Sequence, residues 1–298
     1  MALNAQQLLQ RRFAPLEHAY SRRDTILYAL GIGLGADPVD AGQLAFVYED
    51  RLKALPTMPV ILGYPGFWAR EPDTGIDWKR LVHAEQAFEL HAPLAAEGRV
   101  TGYNRVSAIY DKGPDKGALL CQERQVVDTT SGGLIATVSQ TALLRGDGGC
   151  GGTDGAPPAP HAMPARSPDA ICDLPTLPQA ALIYRLSGDL NPLHIDPAVA
   201  GAAGFSRPIL HGLCSMGIAC HAALRTFLAY DADRIRAMRV RFTAPVLPGD
   251  TLRTELWRDG DAASGVVSFR SFALERQVMV LNAGRIDLHA GFGNAGKQ

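Results

Sequence analysis

The sequence predicts an α+β chain made of two similar halves, each an antiparallel sheet wrapped around a central helix. Three observations carry this. An internal repeat aligns YALGIG (28–33) with YRLSGD (184–189), MPVILG (58–63) with RPILHG (207–212) and ELHAPLAAEGRVTG (89–102) with RFTAPVLPGDTLRT (241–254), at offsets near 150 residues. Long runs alternate apolar and polar residues with a high β-branched content, as half-buried strands do. In each half a helix-bearing segment precedes the strands, an order that lets the sheet close around the helix.

Taken in order, the first half places its helical stretch at TILYALGIG (25–33) and a strand ending in ELH before the Ala-Pro step at 92–93. VTGYNRVSAIYDKG (100–113), GALLCQERQVVDTT (117–130) and LIATVSQTALL (134–144) supply its further strands. Residues 146–169, GDGGCGGTDGAPPAPHAMPARSPD, are dominated by Gly, Pro and Ala and read as a linker. The expected division is therefore 1–145, 146–169 and 170–298. In the second half PQAALIYRLSG (178–188) has helical apolar spacing at Ala181, Leu182, Tyr184 and Leu186, with Asn191 and Pro192 expected to end the helix. RPILHGLCSMGIACHAALRTFL (207–228) reads as a buried helix rich in small residues. Strands follow in RAMRVRFTAPV, TLRTELWRDG, VVSFRSFALER and QVMVLNAGRIDLHA, with turns at DGDAASG (259–265) and near LERQ (274–277).

Composition excludes several classes. The 298 residues, 47% of them apolar, suffice for two ordinary cores. Lys+Arg 29 against Asp+Glu 30, with no basic cluster, argues against a nucleic-acid partner. No run approaches the roughly 18 apolar residues of a membrane-spanning helix. MALNAQQLLQRRF lacks a signal-peptide core and the closing AGKQ lacks an SKL-type address, so the expectation is a cytoplasmic protein with no membrane partner. Cys121, Cys150, Cys172, Cys214 and Cys220 are odd in number and contain no CxxC pair, so free thiols are expected and neither a disulfide framework nor a zinc site.

The chemistry concentrates in YRLSGDLNPLHIDP (184–197). Asp189 and His194 stand five residues apart across a proline-closed turn, which can aim a carboxylate and an imidazole at one water for general acid–base work. The plainer alternative makes Asp189 and Asn191 ordinary turn formers and His194 a surface residue. Downstream, Gly212 opens the buried helix, where bare N–H groups and the helix dipole favour negative charge; its N–H is a candidate oxyanion donor, and close packing against a sheet is the alternative. In the repeat alignment Asp189, Asn191 and His194 face Gly33, Gly35 and Pro38, so the first copy has no acid or base there. One copy is active and one retired. The retired half completes the sheet, since an unpaired sheet edge is a liability.

YRLSGDLNPLH together with RPILHG resembles the signature of the MaoC-like, or type 2, enoyl-CoA hydratases, the (R)-specific branch built on the hot-dog fold. The resemblance runs from about residue 20 to about residue 290 and includes LAFVYED (44–50), LPTMPVILG (55–63), LVHAEQAFELHAPL (81–94) and TALLRGDGGCGG (141–152). It implies a double hot-dog and reversible hydration of trans-2-enoyl-CoA to (3R)-3-hydroxyacyl-CoA, a reaction of fatty-acid metabolism such as β-oxidation. The substrate is an acyl-CoA thioester, no cofactor is needed beyond the CoA it carries, and a homodimer is the assembly expected from the fold. The resemblance adds Glu49 in FVYED as a supporting acid, and it implies that the first half walls a pocket for a bulkier acyl chain. Two departures bear on acyl selectivity: HAEQ (83–86) stands where HGEQ is expected, and 63–80 carries two tryptophans.

Hydration needs a base for the water that attacks C3, a proton for C2 and a donor for the thioester oxygen. Asp189 and His194 share the first two tasks and Gly212 N–H takes the third, with Asn191 orienting Asp189 or the water, or serving only the turn. Arg207 is a weak candidate for a CoA phosphate. His211 and His221 are read as structural, since no Cys/His/carboxylate spacing supports a metal. His83 and Tyr184 are read as core or supporting residues, and Ser187 and Cys214 belong to no nucleophile motif. A thioesterase of the same fold, using activated water on the carbonyl carbon, is the alternative; the paired Asp189 and His194 favour the hydratase. A non-catalytic acyl-CoA-binding subunit would require the second copy to have lost both groups.

Overall fold

A computed structural model describes residues 3–259 and 265–289. Its strands are β1 (Leu16–Tyr20), β2 (Leu81–Leu90), β3 (Gly98–Asp111), β4 (Ala118–Asp128), β5 (Leu134–Leu144), β6 (Ala170–Pro175), β7 (Ile235–Phe242), β8 (Thr251–Asp259), β9 (Val266–Ala273) and β10 (Val278–Leu288). Its helices are α1 (Ala5–Leu9), α2 (Arg22–Gly31), α3 (Ala41–Leu44), α4 (Ala180–Tyr184), α5 (Pro197–Ala202) and α6 (Gly212–Phe227).

All ten strands form one antiparallel sheet in the order β1-β3-β4-β5-β2-β7-β10-β9-β8-β6. The order mirrors itself about the β2–β7 seam, as the internal repeat requires. At the seam Phe88 sits opposite Met238, both buried, while Glu85 pairs with Arg241 at 2.5 Å and Glu89 with Arg236. Each half thus gives up one exposed edge to the other. The outer edges are the short strands β1 and β6, which sequence pattern does not flag. The turn expected at 259–265 and the closing AGKQ lie, wholly or for the most part, outside the described residues.

The second half follows the expected plan. Helix α6 buries every residue from Cys214 to Leu224 and packs on β6, β8 and β9. Its small residues have a reason: a Cβ on Gly217 would come 2.7 Å from Ile32 Cγ2, and Cys214 donates its thiol to Gly31 O at 3.3 Å. Helix α6 therefore seats directly on the end of α2 from the other half. Cys214 and Cys220 are fully buried, burial pushes both thiols up, and all five cysteines are free.

The first half departs from the expectation of its own central helix. Where α6 would recur, residues 58–80 form single 3₁₀ turns at Met58–Val60, Trp68–Arg70, Pro72–Thr74 and Trp78–Arg80. Pro59, Pro65 and Pro72, with Gly63, Gly66 and Gly75 at positive φ, forbid a continuous helix. The segment still fills the sheet's inner face. Met58, Val60 and Leu62 join the main core, and Trp68, Ala69 and Ile76 form a second cluster with Leu8, Val106, Ile109, Leu120 and Leu144. Gly102 lets this segment lie against β3, because a Cβ on it would stand 2.3 Å from Gly63 O. Gly102→Ala is expected to cost about 1–3 kcal/mol, as overpacking does, read as a lower urea midpoint at unchanged slope.

Candidate active site

Helix α4 passes into a 3₁₀ turn at Arg185–Ser187 and stops at Gly188, whose φ of 116° only glycine adopts freely. The stop therefore comes earlier than Asn191 and Pro192, which instead build a turn of their own. Asp189 Oδ1 accepts from Asn191 N at 3.2 Å, and Asn191 Oδ1 accepts from Leu193 N at 3.1 Å, capping the turn Pro192–His194. Asn191 is exposed and its side chain acts as a cap. Each hydrogen bond shortens the path by which the chain reverses, so Asp189 and His194 come to face one another.

His194 is buried, and its Nδ1 lies 2.8 Å from Ile209 O, which can only accept. Nδ1 therefore carries the proton, and the bare Nε2 points at Asp189 Oδ2, 4.0 Å away. That spacing is too long for a direct hydrogen bond and suits one molecule held between the two groups. The Asp189 side chain is 41% exposed against 9% for His194, so the carboxylate meets solvent and the imidazole the protein. Burial holds the His194 pKa below the ordinary histidine value, with the Asp189 charge pulling the other way.

His211 joins this pair and was not expected to. It occupies the N-cap of α6, its ring stacks on His194 at 3.7 Å and 27°, and its Nε2 donates to Asp189 O at 3.1 Å. Burial, reinforced by His194, pushes its pKa down to about 4. The signal in the sequence is a histidine where a helix start favours Ser, Thr, Asp or Asn. Gly212 follows at once. Its N–H has no acceptor among the described residues, and a Cβ there would lie 3.1 Å from the Phe242 ring. A free N–H and a close approach by a sheet residue thus occur together at Gly212.

The first half reaches the same place. Charge on Asp189 acts on Tyr64, whose pKa rises to about 12 chiefly through burial, and on His83, whose pKa falls to about 4 for the same reason. The His83 ring meets Phe242 edge-on at 4.8 Å. Glu49 and Arg207 are not drawn in: both are exposed, neither side chain makes an ion pair among the described residues, and Glu49 offers only its backbone carbonyl, to Arg22 at 3.4 Å. Ligand atoms of Asp189, His194 and His211 lie within 4.8 Å of one another, the composition of a metal site. The stacking opposes that use, because near-parallel rings send their lone pairs side by side instead of toward one ion.

Residues 160–270 match the MaoC like domain and residues 18–146 the MFE-2 hydratase 2 N-terminal domain. A 3-hydroxyacyl-thioester dehydratase Y of Mycobacterium tuberculosis is 41% identical over 93% of this chain and 96% of its own. This chain belongs to the MaoC-like hydratase 2 family. The peroxisomal enoyl-CoA hydratase 2 of Arabidopsis thaliana is 34% identical over 96% of this chain and 95% of its own. The crystal structure of a MaoC-like dehydratase from Phytophthora capsici superposes with a TM-score of 0.83 at 36% identity, covering 97% of this chain and 99% of that one. The two matched halves account for the mirrored sheet, and the double hot-dog is the fold of this family member.

Proposed function

We propose that this hydratase 2 family member adds water reversibly to trans-2-enoyl-CoA, giving (3R)-3-hydroxyacyl-CoA. The observation that carries the reading is the bare His194 Nε2 facing Asp189 Oδ2 at 4.0 Å, beside the helix start whose first N–H belongs to Gly212. Water held by Asp189 and His194 loses a proton to the pair as its oxygen bonds to C3. The electrons of the C2–C3 double bond shift onto the thioester oxygen, where Gly212 N–H and the dipole of α6 stabilise them. The pair then returns a proton to C2, so one water adds across the double bond and nothing else is consumed. A closely spaced carboxylate and imidazole titrate together, and the proton is assigned to them jointly. On this reading the reaction needs no cofactor beyond the CoA of the substrate.

The remaining assignments extend the same reading. Residues 1–145 form the retired copy and wall the pocket, 146–169 join the halves, and 170–298 carry the chemistry. Asn191 supports Asp189 through the turn; Glu49, exposed and outside the Asp189–His194 pair, is kept as a supporting acid on the resemblance alone, and Arg207, also exposed, as a contact for a CoA phosphate. Among the described residues no helix is long and apolar enough to cross a membrane, and a cytoplasmic homodimer with an acyl-CoA partner is the setting we assign. Leu182, Leu186 and Leu190 are each about half exposed.

The test follows absorbance near 263 nm on mixing with crotonyl-CoA and then a decenoyl-CoA, with chiral analysis of the product. Loss of absorbance with (3R)-hydroxyacyl-CoA formed is expected. Release of free CoA thiol without hydration would replace the reading by a thioesterase.

A further inference from the structure

We infer that His211 is a positioning residue that locks Asp189, His194 and the first N–H of α6 into one fixed constellation. The inference rests on the hydratase reading for its kinetic test. It stands on three contacts that no other side chain combines among the described residues. The ring lies flat on His194, with centroids 3.7 Å apart. Its Nε2–H donates to the Asp189 carbonyl at 3.1 Å, across 22 residues of chain. Its backbone is the N-cap that opens α6 at Gly212.

The chemistry of the ring narrows what it does. Because Asp189 O is a carbonyl acceptor, Nε2 must carry the proton, which leaves Nδ1 as a bare acceptor. That Nδ1 is buried and has no partner among the described residues. A side chain present only to satisfy the helix start would turn a polar atom onto the free N–H groups of the first turn, as Ser or Asp does. His211 makes no such bond. Its one donated hydrogen goes to Asp189 and one face to His194, with Tyr184 backing the ring at 5.1 Å. The charged or titratable groups around it are His194, Asp189, Arg185 and Tyr184. Burial lowers the His194 pKa, and the stacked His211 ring covers one face of that imidazole.

Each contact has a substitution that removes it and spares the other. His211→Phe keeps the stacked face and loses the hydrogen bond to Asp189; His211→Gln keeps a donor and loses most of the stack. We expect His211→Phe to lower kcat for enoyl-CoA hydration by ~10- to 100-fold, the scale of a small misplacement of reacting groups, with the acid limb of kcat/KM unmoved. In an Asp189→Asn background the same change should add little, because the loss acts through Asp189. His211→Gln should move the acid limb and the His194 titration, followed by imidazole NMR, upward toward 6.5. Wild-type turnover in His211→Phe, or a loss that adds in full to that of Asp189→Asn, overturns the inference, as does an unmoved His194 titration in His211→Gln. If the wild-type protein hydrates no enoyl-CoA, the reaction assignment fails by itself, and the NMR titration of His194 still decides whether His211 positions it. Circular dichroism of each variant separates lost fold from lost placement.

Discussion

Asp189→Asn is expected to lower kcat/KM for enoyl-CoA hydration by about 10³-fold or more while the protein stays folded. Asparagine has the same shape and still offers Oδ1 to Asn191 N, so the turn that carries the site persists. What goes is the charge that faces His194 Nε2 and accepts the proton of water. His194→Ala should cost a similar factor, and the double variant little more than either alone, because the two groups act as a unit. Retention of near-wild-type rates in Asp189→Asn would remove the pair from the mechanism. The pH dependence has a defined sign. Burial lowers the His194 pKa, so the free base persists below 6.5 and the acid limb of kcat/KM should fall on the acid side of that value.

Stability should decline steeply as the pH drops from about 6.5 toward 4. His211 and His221 are 1% and 2% exposed, and burial lowers each pKa to about 4. In the unfolded chain both titrate near 6.5. Between those values the unfolded state binds protons that the folded state refuses, so stability is full above 6.5 and is lost on the way down to 4. For two such groups the loss is on the order of 5 kcal/mol, comparable with the whole stability of many domains. Asp169 and Asp173, held low by Arg166 and Arg253, add losses only below the ordinary carboxylate range. Urea midpoints by circular dichroism at pH 7.5, 5.5 and 4.5 test this. A midpoint that stays level over that span would contradict it, and His221→Gln should flatten the slope.

Much of this molecule can be read along the chain because its strands are long and turn-bounded. β4 and β5 fall within the runs expected for them and β3 begins two residues before its own, and the repeat foretells the mirrored sheet and the α6 counterpart of MPVILG. β1 and β6 escape detection for a physical reason: five or six residues at a sheet edge need little apolar pattern, since one side faces solvent. The missing helix in the first half was written in Pro59, Pro65 and Pro72, but a repeat alignment favours likeness over the breakers that end it. At the site, Asp189, His194 and Gly212 are local in sequence and legible by spacing. His211 stands in plain view beside Gly212 but has no motif that marks it, whereas Tyr64 and His83 reach the site only through packing between elements far apart in the chain. Glu49 illustrates the converse, a residue marked by resemblance that the fold leaves on the surface.

The β2–β7 seam has a genetic meaning as well as a mechanical one. Two identical copies joined at such a seam would make a symmetric pair, and any substitution would strike both pockets at once. Carrying both copies on one polypeptide removes that constraint. One half can carry Gly33, Gly35 and Pro38 where the other carries Asp189, Asn191 and His194, and 3₁₀ turns where the other carries α6. A tethered pair can thus evolve selectivity on one side of the seam without paying for it in chemistry on the other, and it should present one reactive centre per chain.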